Sequence, residues 1–173
     1  MAGIVSADPE SPACLDLALE LDLQLALLKP HDPELPTQLA LEQWVTAALE
    51  GKMDVAQLTV RLVESDESAS LNEQYRGKQG ATNVLSFPFE APAEVPLPLL
   101  GDLVICAPLV AQEAKTQGKT VRAHWAHLVV HGVLHLRGYD HIDNQEAREM
   151  EDLEIKIMAY LGFADPYAET GTA

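Results

Sequence analysis

Three histidines in the last third of the chain have a spacing that suits metal chemistry. His131, His135 and His141 form the pattern H-x-x-x-H-x-x-G-x-x-H, with Gly138 before the third. Residues four apart lie on one helix face about one turn apart, so His131 and His135 can reach the same cation. Glycine adopts positive φ at little cost, so Gly138 can end the helix and return His141 to that ion. Three protein ligands with one open position are typical of a catalytic zinc site.

The residue directly after His131 bears on which reaction the predicted metal site could catalyse. Metzincin metalloproteases have the spacing H-E-x-x-H-x-x-G-x-x-H, in which the Glu is the general base. The corresponding residue here is Gly132. The pattern of ligands is therefore kept while the base for peptide hydrolysis is absent, which favours another reaction at a similar metal site. The simplest alternative is that these are surface histidines of a helix capped by glycine.

Composition bounds the class of protein. The 173 residues are 47% hydrophobic and 22% charged, which is typical of one globular domain. Cys14 and Cys106 form no C-x-x-C motif and predict a reduced, cytoplasmic setting. The sequence has no basic n-region of a signal peptide and no apolar run long enough for a membrane span. The net charge of −16 disfavours broad binding to nucleic acid but permits a local basic site.

The chain is expected to form one domain over residues 14–167. Residues 1–13 are interpreted as a disordered leader and 168–173 as a frayed tail, with fraying beginning near Asp165.

Hydrophobic periodicity and capping residues predict the element order β-α-β-α-β-β-α-α-α. Leucine occupies every odd position from 15 to 27, which predicts a strand with one buried face. Pro88 predicts that the strand over residues 83–89 lies at a sheet edge. The expected fold class is α+β: a single small mixed sheet of about four strands, with helices packed on it and metal ligands on a helix and the turn after it. The predicted helix N-caps are Thr37, Ser65 or Asp66, Thr120 and Asp143.

A basic, glycine-rich loop follows the second predicted helix. It contains Arg76, Gly77, Lys78 and Gly80. A guanidinium can engage two phosphate oxygens at once, a lysine can add a point charge, and backbone N–H groups at glycines can approach a phosphate. The alternative for Arg76 is an ordinary surface arginine at a helix end.

Four motifs together resemble the YbeY family of bacterial rRNA-maturation endoribonucleases. They are Tyr75-Arg76-Gly77-Lys78, the segment TNVLSFPF at 82–89, LGDLVI at 100–105, and the histidine motif at 131–141. The motifs stand in the family's order, and the resemblance covers roughly residues 38–167. One departure is Ala81, where family members often have proline before the TNVLSF segment.

The resemblance implies a single-strand-specific, metal-dependent endoribonuclease for 16S rRNA 3′-end maturation and quality control of the small ribosomal subunit. It implies one Zn²⁺ per chain, with His131, His135 and His141 as ligands and Arg76 as the functional arginine. The partners implied are single-stranded rRNA of the small subunit and ribosomal or assembly-factor proteins, with no membrane.

Two other functions remain open at this point. A zinc-dependent peptidase or amide hydrolase fits the spacing but lacks its base at Gly132. A non-catalytic ribosome-assembly factor with a structural metal fits the acidic charge slightly better. The general base is not identified. Asp140 is next to a predicted ligand and could instead orient that ligand or bind substrate, and Asp102 is a lone carboxylate in an apolar strand. Either water or the RNA 2′-hydroxyl could be the nucleophile.

Overall fold

The computed structural model describes residues 18–53, 55–90, 98–139 and 143–168. The order of its elements confirms the order expected from the sequence. The predicted leader at 1–13 and residues 169–173 of the predicted tail lie outside the described residues. The elements are β1 (Ala18–Ala26), α1 (Gln38–Leu49), β2 (Val55–Val63), α2 (Ser65–Arg76), β3 (Val84–Pro88), β4 (Leu99–Cys106), α3 (Ala107–Gln117), α4 (Val121–Leu136) and α5 (Asn144–Tyr160).

The strands form one mixed sheet in the order β1-β2-β4-β3. β1 pairs parallel with β2 and β2 pairs parallel with β4, whereas β3 pairs antiparallel with β4. The helices pack on this sheet, so the expected α+β class is confirmed. β3 ends in Pro88 and lies at an edge of the sheet, where a missing backbone N–H costs no ladder hydrogen bond.

The alternating leucines form β1 as the pattern predicts. Leu21 is buried, and Leu19 and Leu23 pack against the same core, while Glu20 and Asp22 are exposed. Burial of one face holds the register, since a slip by one residue would turn Leu19, Leu21 and Leu23 toward solvent. β1 runs without a break as the other edge strand.

Most of the predicted helix starts are confirmed by their caps. The side chains of Thr37, Thr120 and Asp143 each accept a hydrogen bond from the backbone N–H three residues on, as N-cap residues do. The prediction of Ser65 or Asp66 for α2 is wrong by one or two residues, because Glu64 is its N-cap and makes no side-chain cap bond. The Glu64 carboxylate instead accepts from the N–H of Leu28, which ties the end of β2 to the chain after β1.

α4 is the central helix. It packs against α1, α3 and α5 as well as the sheet, and Trp125, Val129 and Val133 are almost completely buried. A helix that contacts three helices and the sheet has little freedom to move. It therefore provides a rigid base for the histidines that it carries.

Close packing explains the glycine between His131 and His135. A methyl group at position 132 would lie 2.7 Å from Cδ2 of Leu103, a fully buried residue of β4. Position 132 thus faces the sheet and its core. Any side chain larger than that of glycine at this position, including the glutamate of the peptidase pattern, would have to displace Leu103.

Replacing Gly132 by Ala should lower the free energy of unfolding by about 1 kcal/mol. The overpacking cost of about 1–3 kcal/mol exceeds the gain of about 1 kcal/mol in helix propensity. Urea denaturation of the single and double variants with Leu103→Val measures the coupling. The double variant should be more stable than the sum of the two single effects; simple additivity would contradict the proposed contact.

Candidate functional site

A buried carboxylate on α5 organises the histidines of α4. Glu154 is completely buried. Nε2 of His127 lies 2.6 Å from its Oε1, Nδ1 of His131 lies 2.9 Å from its Oε2, and the Tyr167 hydroxyl donates to Oε1 at 2.5 Å. Burial alone would raise the pKa of Glu154, but these hydrogen bonds outweigh it and lower the pKa to about 2. The carboxylate is therefore ionised at neutral pH.

This charge determines which nitrogens of the two histidines carry hydrogen. An ionised carboxylate only accepts hydrogen bonds, so Nε2 of His127 and Nδ1 of His131 must both be donors. In neutral His131 the lone pair then lies on Nε2, the atom directed away from Glu154. A carboxylate that holds the other ring nitrogen is the usual support of a metal-binding histidine. The bond to Glu154 thus makes Nε2 the nitrogen of His131 that can act as a metal ligand.

The Nε2 atoms of His131 and His135 lie 3.1 Å apart, with the two rings nearly perpendicular at 77°. Two nitrogens that bind one tetrahedral zinc at about 2.0–2.1 Å are separated by about 3.3 Å. The spacing and the donor chemistry of this pair therefore fit a shared cation. Imidazole nitrogen suits zinc, and also copper, nickel or cobalt.

The third predicted ligand lies just beyond the described part of the turn. α4 ends after Leu136, and Gly138 has the predicted positive φ of 102°. The N–H of Tyr139 donates to the carbonyl of Leu134, which closes the helix end. Arg137 anchors this end by donating to the carbonyl of Ala48 in α1. Asp140 and His141 lie outside the described residues, so the placement of His141 stays a prediction.

A second grouping of potential ligands surrounds the other nitrogen of His131. One potential ligand atom each of His127, His131 and Glu154 lie within 4.8 Å of one another. Glu154 lies outside the histidine motif and the basic loop from which the site was predicted. The feature of the sequence that could have identified Glu154 is its position in the apolar stripe of α5, which also contains Met150, Ile157 and Met158. An acidic residue in such a stripe requires partners.

The described end of the chain takes part in this cluster. The Tyr167 hydroxyl is bound to Glu154, and Lys119 donates to the carbonyl of Pro166 at 2.6 Å. The expectation of fraying from Asp165 is therefore wrong for these residues. Two side-chain anchors compensate for the lack of regular structure after α5.

One cleft brings the basic loop to the histidine pair. Its volume is about 730 Å³, and Arg76, His131 and His135 all line it. Arg76 is the last residue of α2 and is exposed, and among the described residues no carboxylate pairs with it. Lys78 and Asp102 are exposed but are not among the cleft-lining residues. Neither the point charge suggested for Lys78 nor a general-base role for Asp102 is supported by this placement.

Two buried side chains of α2 hold the basic loop. The Ser68 hydroxyl donates to the carbonyl of Thr82 and accepts from its N–H, and Asn72 donates to the carbonyl of Gly80. Gly77 and Gly80 have positive φ of 68° and 91°, which glycine tolerates. The loop thereby returns to the start of β3 next to the helix end that carries Arg76.

A second chamber of about 610 Å³ shares Asn83, Val84 and His131 with the cleft. There Glu113 of α3 accepts hydrogen bonds from Asn83 and from Nε2 of His124. Burial lowers the pKa of His124, and its bond to Glu113 offsets this only in part. A neutral His124 that donates to Glu113 links α4 to α3, which is a structural role.

The Glu154 network should give the protein a distinct acid sensitivity. The pKa of Glu154 falls from 4.5 to about 2 on folding, so its stabilisation is complete above pH 4.5 and is lost as the pH falls toward 2. The contribution is about 3 kcal/mol by proton linkage. In chelator-treated protein, the difference in unfolding free energy between wild type and Glu154→Gln should shrink over this range. A difference independent of pH would contradict the assignment.

An arginine and two histidines that share one cleft make this cleft the candidate functional site. The family model described as endoribonuclease YbeY matches residues 31–162. The chain therefore belongs to the YbeY endoribonuclease family, as its motifs predicted. Membership supports an endoribonuclease role in rRNA processing, and this family is metal-dependent.

The fold agrees with a solved structure. The solution structure of TM1509 from Thermotoga maritima is similar with a TM-score of 0.52 and 23% sequence identity. The match covers 87% of this chain and 99% of that chain. This similarity supports the fold. In the part of the chain that the structure describes, no helix has the length and apolar character of a membrane span.

Proposed function

We propose that this protein is a metal-dependent endoribonuclease that cuts single-stranded RNA, with its activity in one domain over residues 14–167. Its role would be 16S rRNA 3′-end maturation and quality control of the small subunit in the cytoplasm, with ribosomal or assembly-factor proteins as partners. The observation that carries the proposal is the single cleft that contains Arg76, His131 and His135.

His131, His135 and His141 are proposed to hold one zinc ion through neutral imidazoles. The short separation of the first two Nε2 atoms supports this set, and so does the carboxylate behind His131. In this assignment Glu154 and His127 position the ligand His131 and do not bind the ion. Bound zinc would supply Lewis-acid polarisation of a phosphoryl oxygen and a lowered pKa of coordinated water.

Arg76 is proposed to bind the scissile phosphate. A guanidinium offers two parallel N–H donors to two phosphate oxygens, and the charge stabilises the additional negative charge of the transition state. The N–H of Gly77 already donates to the Glu73 carbonyl, so the guanidinium carries this role. The site can thus orient and neutralise the phosphodiester despite the net charge of −16.

The products identify the nucleophile. A terminal cyclic phosphate would indicate attack by the RNA 2′-hydroxyl. A 5′-phosphate with a free 3′-hydroxyl would indicate attack by water.

Incubation of the purified protein with single-stranded rRNA fragments and, separately, with casein tests the proposal. We expect metal-dependent cleavage of RNA, its loss with a chelator, and no cleavage of casein. Casein cleavage without RNA cleavage would favour the peptidase alternative. A protein that binds small ribosomal subunits but cleaves neither casein nor RNA, whether the RNA is free or in the subunit, would favour the assembly factor with a structural metal.

A further inference from the structure

An aromatic pair, one ring of which is exposed, lies beside the arginine of the cleft. The ring of Tyr75, at the end of α2, packs edge-to-face on Phe87 of β3, with ring centroids 5.2 Å apart and planes at 75°. Both residues line the cleft that contains Arg76 and the histidines. Tyr75 is 59% exposed.

The packing of Tyr75 against its neighbours does not explain why an aromatic ring of this size stands largely in solvent. Phe87 and Leu71 pack against a small cluster of Val63, Leu85 and Val104 on the sheet face opposite α4. Tyr75 contacts the margin of this cluster through Phe87 and leaves most of its own surface in water. Phe87 therefore fixes the orientation of Tyr75 without covering it. An apolar ring held in solvent at a cleft wall is suited to a flat ligand.

The charges near the pair favour a base over a phosphate. Among the described residues that line the cleft, Arg76 is the one lysine or arginine. Asp102 is the cross-strand partner of Phe87 and is exposed on the same sheet face, where it repels phosphate. With so few cations, affinity for a single strand must come largely from contacts that do not depend on charge. Stacking of bases on aromatic rings is such a contact.

We propose that Tyr75, oriented by Phe87, is a substrate-binding residue on which one unpaired base of the RNA stacks next to the phosphate held by Arg76. The inference rests on the proposed function and adds a residue to it. It also predicts that affinity for RNA depends only weakly on salt. Each phosphate contact to a single strand contributes about −0.7 to the slope of log K against the logarithm of the salt concentration, and Arg76 is the one lysine or arginine among the described residues that line the cleft.

Steady-state cleavage of an unstructured single-stranded RNA by the full-length variants tests the inference. Loss of one stacked base should raise KM of Tyr75→Leu about 5- to 150-fold, with kcat within about threefold of wild type. Tyr75→Phe and Tyr75→Trp should behave like wild type because they keep a ring. Tyr160→Leu is the matched control, since Tyr160 is 62% exposed on α5 and does not line the cleft.

RNAs with a single abasic nucleotide at successive positions provide a second readout. One position should raise KM for wild type but have no further effect on Tyr75→Leu, because the ring that the base would meet is gone. A full abasic effect in Tyr75→Leu, or a KM of Tyr75→Leu equal to that of Tyr160→Leu, would overturn the stacking assignment while leaving the nuclease intact. Wild-type protein without any RNA cleavage would overturn the proposed function, and the inference with it.

Discussion

Replacing Arg76 by Ala should reduce the rate constant of RNA cleavage about 10²- to 10³-fold, without loss of folding or metal. Removing one preorganised donor from a developing oxyanion costs about this much in other enzymes. Arg76 is exposed at a helix end and has no carboxylate partner among the described residues, so its loss leaves no buried charge. Single-turnover cleavage, circular dichroism and metal analysis of the same sample measure the three quantities.

Lys78 provides the matched control for Arg76. It is an exposed cation two residues further on and does not line the cleft, so Lys78→Ala should cleave RNA at nearly the wild-type rate. Arg76→Lys should fall between wild type and Arg76→Ala, because it keeps the charge but not the two parallel donors. Equal losses for Arg76→Ala and Lys78→Ala would mean that the loop acts through general charge alone.

Replacing His135 by Ala should leave the protein folded but nearly free of zinc and inactive on RNA. The substitution removes one of three proposed ligands, and two imidazoles bind zinc far less tightly than three. His135 is only half-buried, so its truncation leaves no large cavity in the core. Metal stoichiometry after equilibration with zinc and gel filtration gives the result.

His127 distinguishes the two possible ligand groups around His131. It belongs to the group with Glu154, and His135 does not. If zinc binds at Nε2 of His131, His127→Ala should retain the metal. His127→Gln should also retain it, and its side-chain amide can still donate a hydrogen bond to Glu154. Loss of zinc from both His127 variants, with retention in His135→Ala, would assign the ion to His127, His131 and Glu154.

Local signals in the sequence were sufficient for most elements of the fold. Alternating leucines predicted β1, Pro88 predicted the edge position of β3, and Thr120 predicted the start of α4. Each of these depends on neighbours in sequence, which a single chain displays directly. The N-cap of α2 was misplaced because its residue, Glu64, makes no side-chain cap bond; the Glu64 carboxylate instead bonds to Leu28, a contact across 36 residues that no local pattern encodes.

The candidate site likewise has some residues that local sequence patterns predicted and others that they did not. The spacing of the histidines and the loop with Arg76 were visible in the sequence, and the structure brings Arg76, His131 and His135 into one cleft. Glu154 was missed because it approaches His131 from another helix, 23 residues away in sequence. Strand order and the pairing of Tyr75 with Phe87 likewise depend on tertiary packing.

The most direct test of this account is an anomalous difference map at the zinc edge from crystals of the zinc-loaded protein. A single peak within bonding distance of Nε2 of both His131 and His135, with Glu154 still bound to Nδ1 of His131, is the predicted result. A peak between Nδ1 of His131, His127 and Glu154 would contradict it.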